Sequence, residues 1–429
     1  MVFVSIKNAM EQGSGEVSLH GWVYRERGSS AVRFIVLRDS SQTIQCVVKK
    51  AAVSQAVWDQ AQQTPIETSV EVHGVIHLDA RAPTGFEVEV SDINVIGYAD
   101  TFPITKDQSP EFLLDKRHLW LRSQKLSAVM KIRSTVFGAI DEYFRSHGFY
   151  EIQSPVFTPN ACEGGATLFE VKYFEDKVYL TQSWQLYAEA MIASLEQIYC
   201  ISPCFRSERS KTSRHLAEFW MAEMEVAWAD LSNVTMHAQE LVAYIVKMVL
   251  ETNNHELDVL KRDKEVLRRI KTPFFTMTYT QVLDHLKNKG HIVEWGKDLR
   301  TIEEDELMKD FDKPVIVTHY PKEIMAFYKP ADPEDPRTAL CFDMLAPEGY
   351  GEIIGGSQRE TDINKLVDGL KNQGENVENY EWYLDTRRFG NVPHAGFGMG
   401  VERVIAWVCG LDNIKDAIPF PRTMLRKSP

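Results

Sequence analysis

Between Tyr199 and Trp228 two strand-like runs flank a basic loop, and the period-2 alternation of a strand sorts their side chains by chemistry. Arg206 and Glu208 share a face of the first run. On the return run Phe219, Met221, Glu223 and Glu225 share one face, while Trp220, Ala222, Met224, Val226 and Trp228 form the other and read as core. Two carboxylates beside an aromatic ring, facing an arginine and a glutamate, are costly to desolvate unless they meet a polar ligand or one another. A binding site and a structural ion-pair network both satisfy that condition. The loop from Ser207 to Ala217 carries Arg209, Lys211, Arg214 and His215, a set suited to phosphates. Nearer the C-terminus, Gly396-Phe397-Gly398-Met399-Gly400-Val401-Glu402-Arg403 offers glycines for close backbone approach and then an arginine at the start of a helix, a common arrangement taken alone.

These groups must be held by a chain of 429 residues, with 48 basic against 61 acidic side chains and a net charge of −13. That length implies two or three domains, and 44% hydrophobic residues supply a large core. The acidic balance argues against indiscriminate nucleic-acid binding but leaves room for a local basic patch. Apolar stretches stop short of the roughly 20 residues a membrane span needs, and the start MVFVSIKNAMEQ is unlike a secretory leader, so the expectation is a cytoplasmic protein without a membrane partner. The six cysteines have no two-residue spacing and read as buried thiols.

Residues 16 to 97 read as five short strands, Val17 to Tyr24, Arg33 to Arg38, Thr43 to Val48, Ser69 to His77 and Phe86 to Ile96, with a helix around Ala51 to Gln62. That pattern suggests an OB-type barrel over residues 1–99. Arg25, Arg27, Arg33, Arg38, Lys49 and Lys50 concentrate there, as a binding face or a solvated surface. Residues 100–121, with Pro103 and Pro110 and no clear period, are expected to be the hinge. Apolar residues from Leu126 to Phe144 recur at three- and four-residue steps, giving an amphipathic helix that Gly148 ends before a strand at Tyr150 to Gln153. From 122 to 429 hairpins mix with helices, which indicates an α+β domain built on an antiparallel sheet flanked by helices. Within it, 258–312 looks like a mostly helical insertion of unassigned role.

The hairpin resembles motif 2 of the class II aminoacyl-tRNA synthetases, through Phe205-Arg206-Ser207-Glu208 and Arg214-His215-Leu216-Ala217-Glu218-Phe219. The glycine-rich run resembles motif 3, and the helix with Pro155 resembles motif 1, the dimer element, all in the family's order. Ser109-Pro110-Glu111, Asp115-Lys116-Arg117-His118-Leu119 and Glu163-Gly164-Gly165-Ala166-Thr167-Leu168-Phe169 resemble the subgroup charging aspartate, asparagine and lysine. Aspartate-charging members carry a lysine that pairs with the substrate carboxylate, where this chain has Ala188 in Gln182-Ser183-Trp184-Gln185-Leu186-Tyr187-Ala188. They also carry a shorter acid at Glu223, so the resemblance is to the asparagine-charging members. Trp184 stands where a small residue or proline is expected.

The resemblance implies ATP-dependent activation of L-asparagine to its adenylate with release of pyrophosphate, then transfer to tRNA(Asn), by a homodimer using Mg²⁺. Carried over by position, Arg206 and Arg403 are the catalytic cations. Glu163, Gln185, Arg206, Glu223 and Arg359 contact the amino acid. Arg206, Glu208, Arg214, His215, Phe219, Glu352 and Arg403 bind ATP, and Asp343 and Glu352 hold the metal. On the barrel, Arg25, Phe34 and Gln45 meet the anticodon, with Phe34 in the barrel core as the other reading. An aspartate-charging enzyme and a catalytically silent tRNA-binding relative are the alternatives.

Overall fold

Alternating apolar residues close residues 15–97 into a barrel. The computed structural model describes residues 2–162, 167–209 and 212–429, and it divides into two units, Met1–Phe112 and Leu113–Pro429. In the first, strands Gly15–Gly28, Val32–Arg38, Thr43–Lys49, Ser69–Leu78 and Phe86–Gly97 form the closed five-stranded barrel, the third pairing with the fifth in parallel. Leu19, Val23, Ile35, Leu37, Ile44, Cys46, Val72 and Val88 fill it. The expected helix near Ala51 starts only at Gln55, because Ser54 caps it by accepting from the Val57 amide. A further helix, Ile6–Gln12, has no counterpart in the expectations; Ser5 caps it and Gly13 ends it at φ 76°.

The segment expected to be a hinge, 100–121, is not a plain linker along its length. It contains helices Pro110–Asp115 and Arg117–Trp120, and the two units part inside the first of these. Arg117 belongs to the second unit: it is buried and donates to the carbonyls of Lys415, Ile418 and Pro419 and to Asp416.

The second unit is built on an eight-stranded sheet in the order Phe275–Thr278, Val315–Thr318, Cys341–Ala346, Gly351–Gln358, His394–Gly400, Glu218–Ala227, Gln197–Phe205, Tyr150–Glu151. The expectation of an antiparallel sheet holds for its middle and fails at its two edges, where the outermost pairs are parallel. One of those edge strands, Phe275–Thr278, comes from the supposed helical insertion, so 258–312 is part of the sheet's architecture. Helices Gln124–Ser146, Leu231–Thr252 and Val401–Cys409 cover the face lined by Phe342, Met344, Ile354, Phe397, Met399, Ala222 and Met224. The six cysteines are buried free thiols, as expected. Among the described residues no helix is long and apolar enough to cross a membrane.

The three family-like motifs meet in this core at one carboxylate. Glu402, 1% exposed, accepts from Arg133 Nη1 of helix Gln124–Ser146 at 2.7 Å and from the Trp220 amide of strand Glu218–Ala227 at 2.8 Å. Arg133 also donates to the Ala417 carbonyl at 3.0 Å. Removing one member of a buried pair strands the other's charge, at a cost of about 3–5 kcal/mol. Arg133→Met and Glu402→Leu are each expected to lower unfolding free energy by about that amount, measured by urea denaturation of the full chain, with the double variant less destabilised than the sum.

Candidate functional site

The open face of the sheet is floored by glycine. Gly396, Gly398 and Gly400 alternate with Phe397 and Met399, which point into the core, so strand periodicity turns every glycine toward the open side. Register then sets Asp343, Gly355, Gly398 and Glu223 side by side across four strands. A Cβ on Gly398 would press on the Met221 side chain, and one on Gly396 would collide with Glu225 and Arg359. The two glycines between the acids leave room for a ligand against the backbone.

Two clefts open above this floor. One, of about 590 Å³, is lined by Arg206, Glu208, Arg214, His215, Phe219, Glu352 and Arg403 among others. All the residues expected at ATP lie here. The other, of about 1000 Å³, is lined by Ser183, Trp184, Gln185, Glu223, Glu225, Tyr328, Lys329, Asp343 and Arg359 among others. Arg206, Met221, Glu352 and Gly398 line both. Glu163, expected at the amino acid, lies outside the described residues.

The first strand of the hairpin ends at Phe205, so Arg206 and Glu208 are not on it as expected. Arg206 still bonds back to the Ala217 carbonyl, but the Ser207 amide turns to the Thr167 carbonyl. The guanidinium of Arg206 lies 5.5 Å from the Phe219 ring centroid. Glu208 pairs with His215 at 3.2 Å, which together with Arg206 holds its carboxyl below the usual range. Arg403 donates to the Glu352 carbonyl at 2.9 Å and to its carboxylate at 3.0 Å. Arg214 is backed by Asp305 at 2.8 Å, by Glu304 at 3.7 Å and by the Gly349 carbonyl. Helix Thr301–Met308 of the unassigned region thus braces Arg214 of the basic loop, a role that no motif in the sequence signals. Burial and the nearby Glu352 push Glu304 up to about 7.

A β-bulge separates Asp343 from Glu352 along the hairpin. The register shifts between Met344 and Leu345, both Ile353 and Ile354 pack into the core, and Glu352 turns onto the face of Asp343. Burial, then the charge of Glu352, pushes Asp343 up to about 8. Glu352 is held below its usual range, since Arg403, Arg206 and Lys329 outweigh its burial. A carboxyl pushed up by burial and a neighbouring carboxylate is a pair that a divalent cation would satisfy, and oxygen donors suit Mg²⁺.

In the larger cleft Glu223 is fixed by Ser183 Oγ at 2.5 Å and the Trp184 amide at 2.9 Å. Arg359 donates through Nε and Nη2 to Glu225 at 2.9 and 2.7 Å, through Nη1 to Ser357 at 2.9 Å, and lies 5.4 Å from the Tyr328 ring centroid. Glu225, grouped with Glu223 by alternation, is therefore the counter-ion of Arg359. The sequence shows no lysine near Glu223, yet Lys329 lines this cleft and its charge acts on Asp343 and Glu352. Trp184 is buried in one cluster with Ala188, Ile192, Ile198, Cys200 and Ala227. Glu189, Glu225 and His394 bring ligand atoms within 4.8 Å of one another, but Arg387 and Arg359 already answer both acids, so this cluster is an ion network.

On the barrel, Phe34 alternates with Ile35 and Leu37, which are sealed inside, so its ring lies on the outer face. Register aligns Arg27 with Phe34 and Val47, and Arg25 with Val36, Gln45 and Glu87. All three residues expected at the anticodon share this face. The Arg27 guanidinium lies 4.9 Å from the Phe34 ring centroid, and Gln45 donates to Glu87 at 3.0 Å.

The family model for class II tRNA synthetases (D, K and N) matches residues 109–424, and that for the OB-fold nucleic acid binding domain matches 17–96. The asparagine–tRNA ligase of Thermoplasma acidophilum is 46% identical over 96% of each chain, and that of Thermococcus kodakarensis 48% identical over 98% of this chain and 97% of its own. The asparaginyl-tRNA synthetase of Pyrococcus horikoshii, solved with asparaginyl-adenylate, superposes with a TM-score of 0.97 at 45% identity over the whole of both chains. With the motif residues gathered on one sheet face and relatives matched from end to end, the chain belongs to the asparaginyl-tRNA synthetases of class II.

Proposed function

We propose that this chain activates asparagine in the larger cleft with ATP in the smaller one, then transfers it to tRNA(Asn) read by the barrel. The observation that carries this reading is that Arg206 lines both clefts. In the first step an oxygen of the asparagine α-carboxylate bonds to the α-phosphorus of ATP, the bond to the β-phosphate oxygen breaks, and pyrophosphate leaves. Arg206 answers charge on the α-phosphate and carboxylate, Phe219 and Arg403 hold the adenine between them, and Arg403, Arg214 and His215 meet the outer phosphates, with Glu208 orienting His215. No protein nucleophile is required.

Asp343 and Glu352 would hold Mg²⁺, which supplies charge neutralisation on the phosphates when bound. Gln185 and Glu163 take the α-ammonium group. Glu223 accepts from the side-chain amide and Arg359 donates to its oxygen. In the second step a ribose hydroxyl of the tRNA terminus attacks the adenylate carbonyl and AMP leaves, its phosphate able to take the proton. Arg25, Phe34 and Gln45 receive the anticodon, by stacking on the ring and polar contacts to base edges. Tyr150, Val156 and Phe157, exposed beside the sheet-edge strand Tyr150–Glu151, support a homodimer through this edge. Sedimentation equilibrium is expected to return twice the chain mass, and a monomer at micromolar concentration would remove the dimer from this reading.

Pyrophosphate exchange into ATP, with Mg²⁺ and no tRNA, is expected with asparagine and not with aspartate. Exchange with aspartate alone would sink the assignment of Glu223. Arg403→Ala is expected to slow exchange by about 10²–10³-fold. Phe34→Ala is expected to leave exchange intact and lower kcat/KM for tRNA charging about tenfold or more, the loss of one stacked base.

A further inference from the structure

Glu189 lies one helical turn beyond Gln185 in Gln185–Leu195, is 2% exposed and lines neither cleft. Its Oε2 meets Tyr383 Oη at 2.8 Å, His394 Nε2 at 3.0 Å and Arg387 Nη2; its Oε1 accepts from Gln185 Nε2 at 2.9 Å. Burial works to raise this carboxyl, but Arg387 and His394 hold it well below the usual range. An ionised carboxylate can only accept hydrogen bonds. The Gln185 amide therefore has a single orientation, with its NH2 on Glu189 and its oxygen turned away. Gln185 lines the amino-acid cleft, and among the described residues no group donates to its Oε1.

We infer that Glu189 is a positioning residue for substrate binding: by engaging the amide nitrogen of Gln185 it presents the Gln185 oxygen as acceptor for the α-ammonium group of the amino acid. The inference rests on the proposed role of Gln185. An unconstrained amide could turn its NH2 into the cleft, where two sets of donors would face each other and the ammonium would lose one of its two acceptors. The seal of Tyr383, Arg387 and His394 around Oε2 leaves Oε1 to this one task.

The test uses pyrophosphate exchange with the full chain. Glu189→Gln gives Gln185 a neighbour that can donate as well as accept, and Glu189→Asp keeps the charge near Arg387 while withdrawing it from Gln185. Each is expected to raise KM for asparagine about tenfold with kcat and KM for ATP unchanged. Succinamic acid, which is asparagine without its amino group, serves as competitive inhibitor; its Ki is expected not to move. Glu189→Gln in a Gln185→Ala background is expected to add nothing. Equal weakening of asparagine and succinamic acid in the Glu189 variants would overturn the inference, as would loss of folded protein in both. If Gln185→Ala weakens both ligands equally, the role of Gln185 falls. If Gln185→Ala is selective for asparagine while the Glu189 variants bind it normally, only the inference about Glu189 falls.

Discussion

Glu402 ties together the elements that carry the chemistry. Its carboxylate holds the amide of Trp220, and Trp220 adjoins Phe219; it holds Arg133 of the long helix; and it stands one residue before Arg403. Burying a charge is expensive, and only a geometry that satisfies both of its oxygens recovers the cost. The position of Arg403 over the smaller cleft is therefore set by an ion pair on the core side of the same helix turn. Phe219, Arg403 and the helix under the sheet cannot shift independently while that pair is intact.

The glycine floor follows from the same economy of space. Helices fill one sheet face with Phe342, Phe397 and Met399, and along strand His394–Gly400 the alternate positions on the other face, from Gly396 to Gly400, carry no side chain. Acidic residues rise at the margins of this bare strip: Glu223 at one end of the row and Asp343 at the other. A ligand lying along it meets backbone below and an acid at each end of the row, while Arg206 lines both clefts.

Much of this was legible in the sequence because period 2 is a strict rule. The facing of Glu223, the core side of Met224 and the strand-to-helix turn before Arg403 follow from alternation and glycine placement alone. What stayed hidden depends on distant contacts. Phe275–Thr278 is a four-residue edge strand whose partner, Val315–Thr318, lies far along the chain, so neither shows a period of its own. The bulge that brings Glu352 onto the face of Asp343 is an irregularity of pairing, invisible to one strand read by itself. Lys329 reaches the larger cleft from a loop, and Glu304 backs Arg214 from a short helix, with no chemical motif around either. Glu225 looked equivalent to Glu223 because alternation assigns a face but names no partner; only the fold shows that Arg359 occupies it.

That division of labour between the two acids bears on how a site of this kind separates asparagine from aspartate. The two differ by an amide against a carboxylate of nearly equal volume, so packing discriminates little. Losing one neutral hydrogen bond is worth about 1 kcal/mol, too little for faithful selection. A second carboxylate placed about 4 Å from Glu223 would cost about 4 kcal/mol at an effective dielectric near 20, or roughly a thousandfold. The penalty survives only if the positive charge nearby is already spoken for. Arg359 gives two of its nitrogens to Glu225, and the charge of Lys329 falls on Asp343 and Glu352, while Ser183 and Trp184 hold Glu223 with neutral donors. Arg359 is thus committed to Glu225, and the Glu223 carboxylate, where the substrate side chain is proposed to sit, supplies the negative charge that disfavours a second acid.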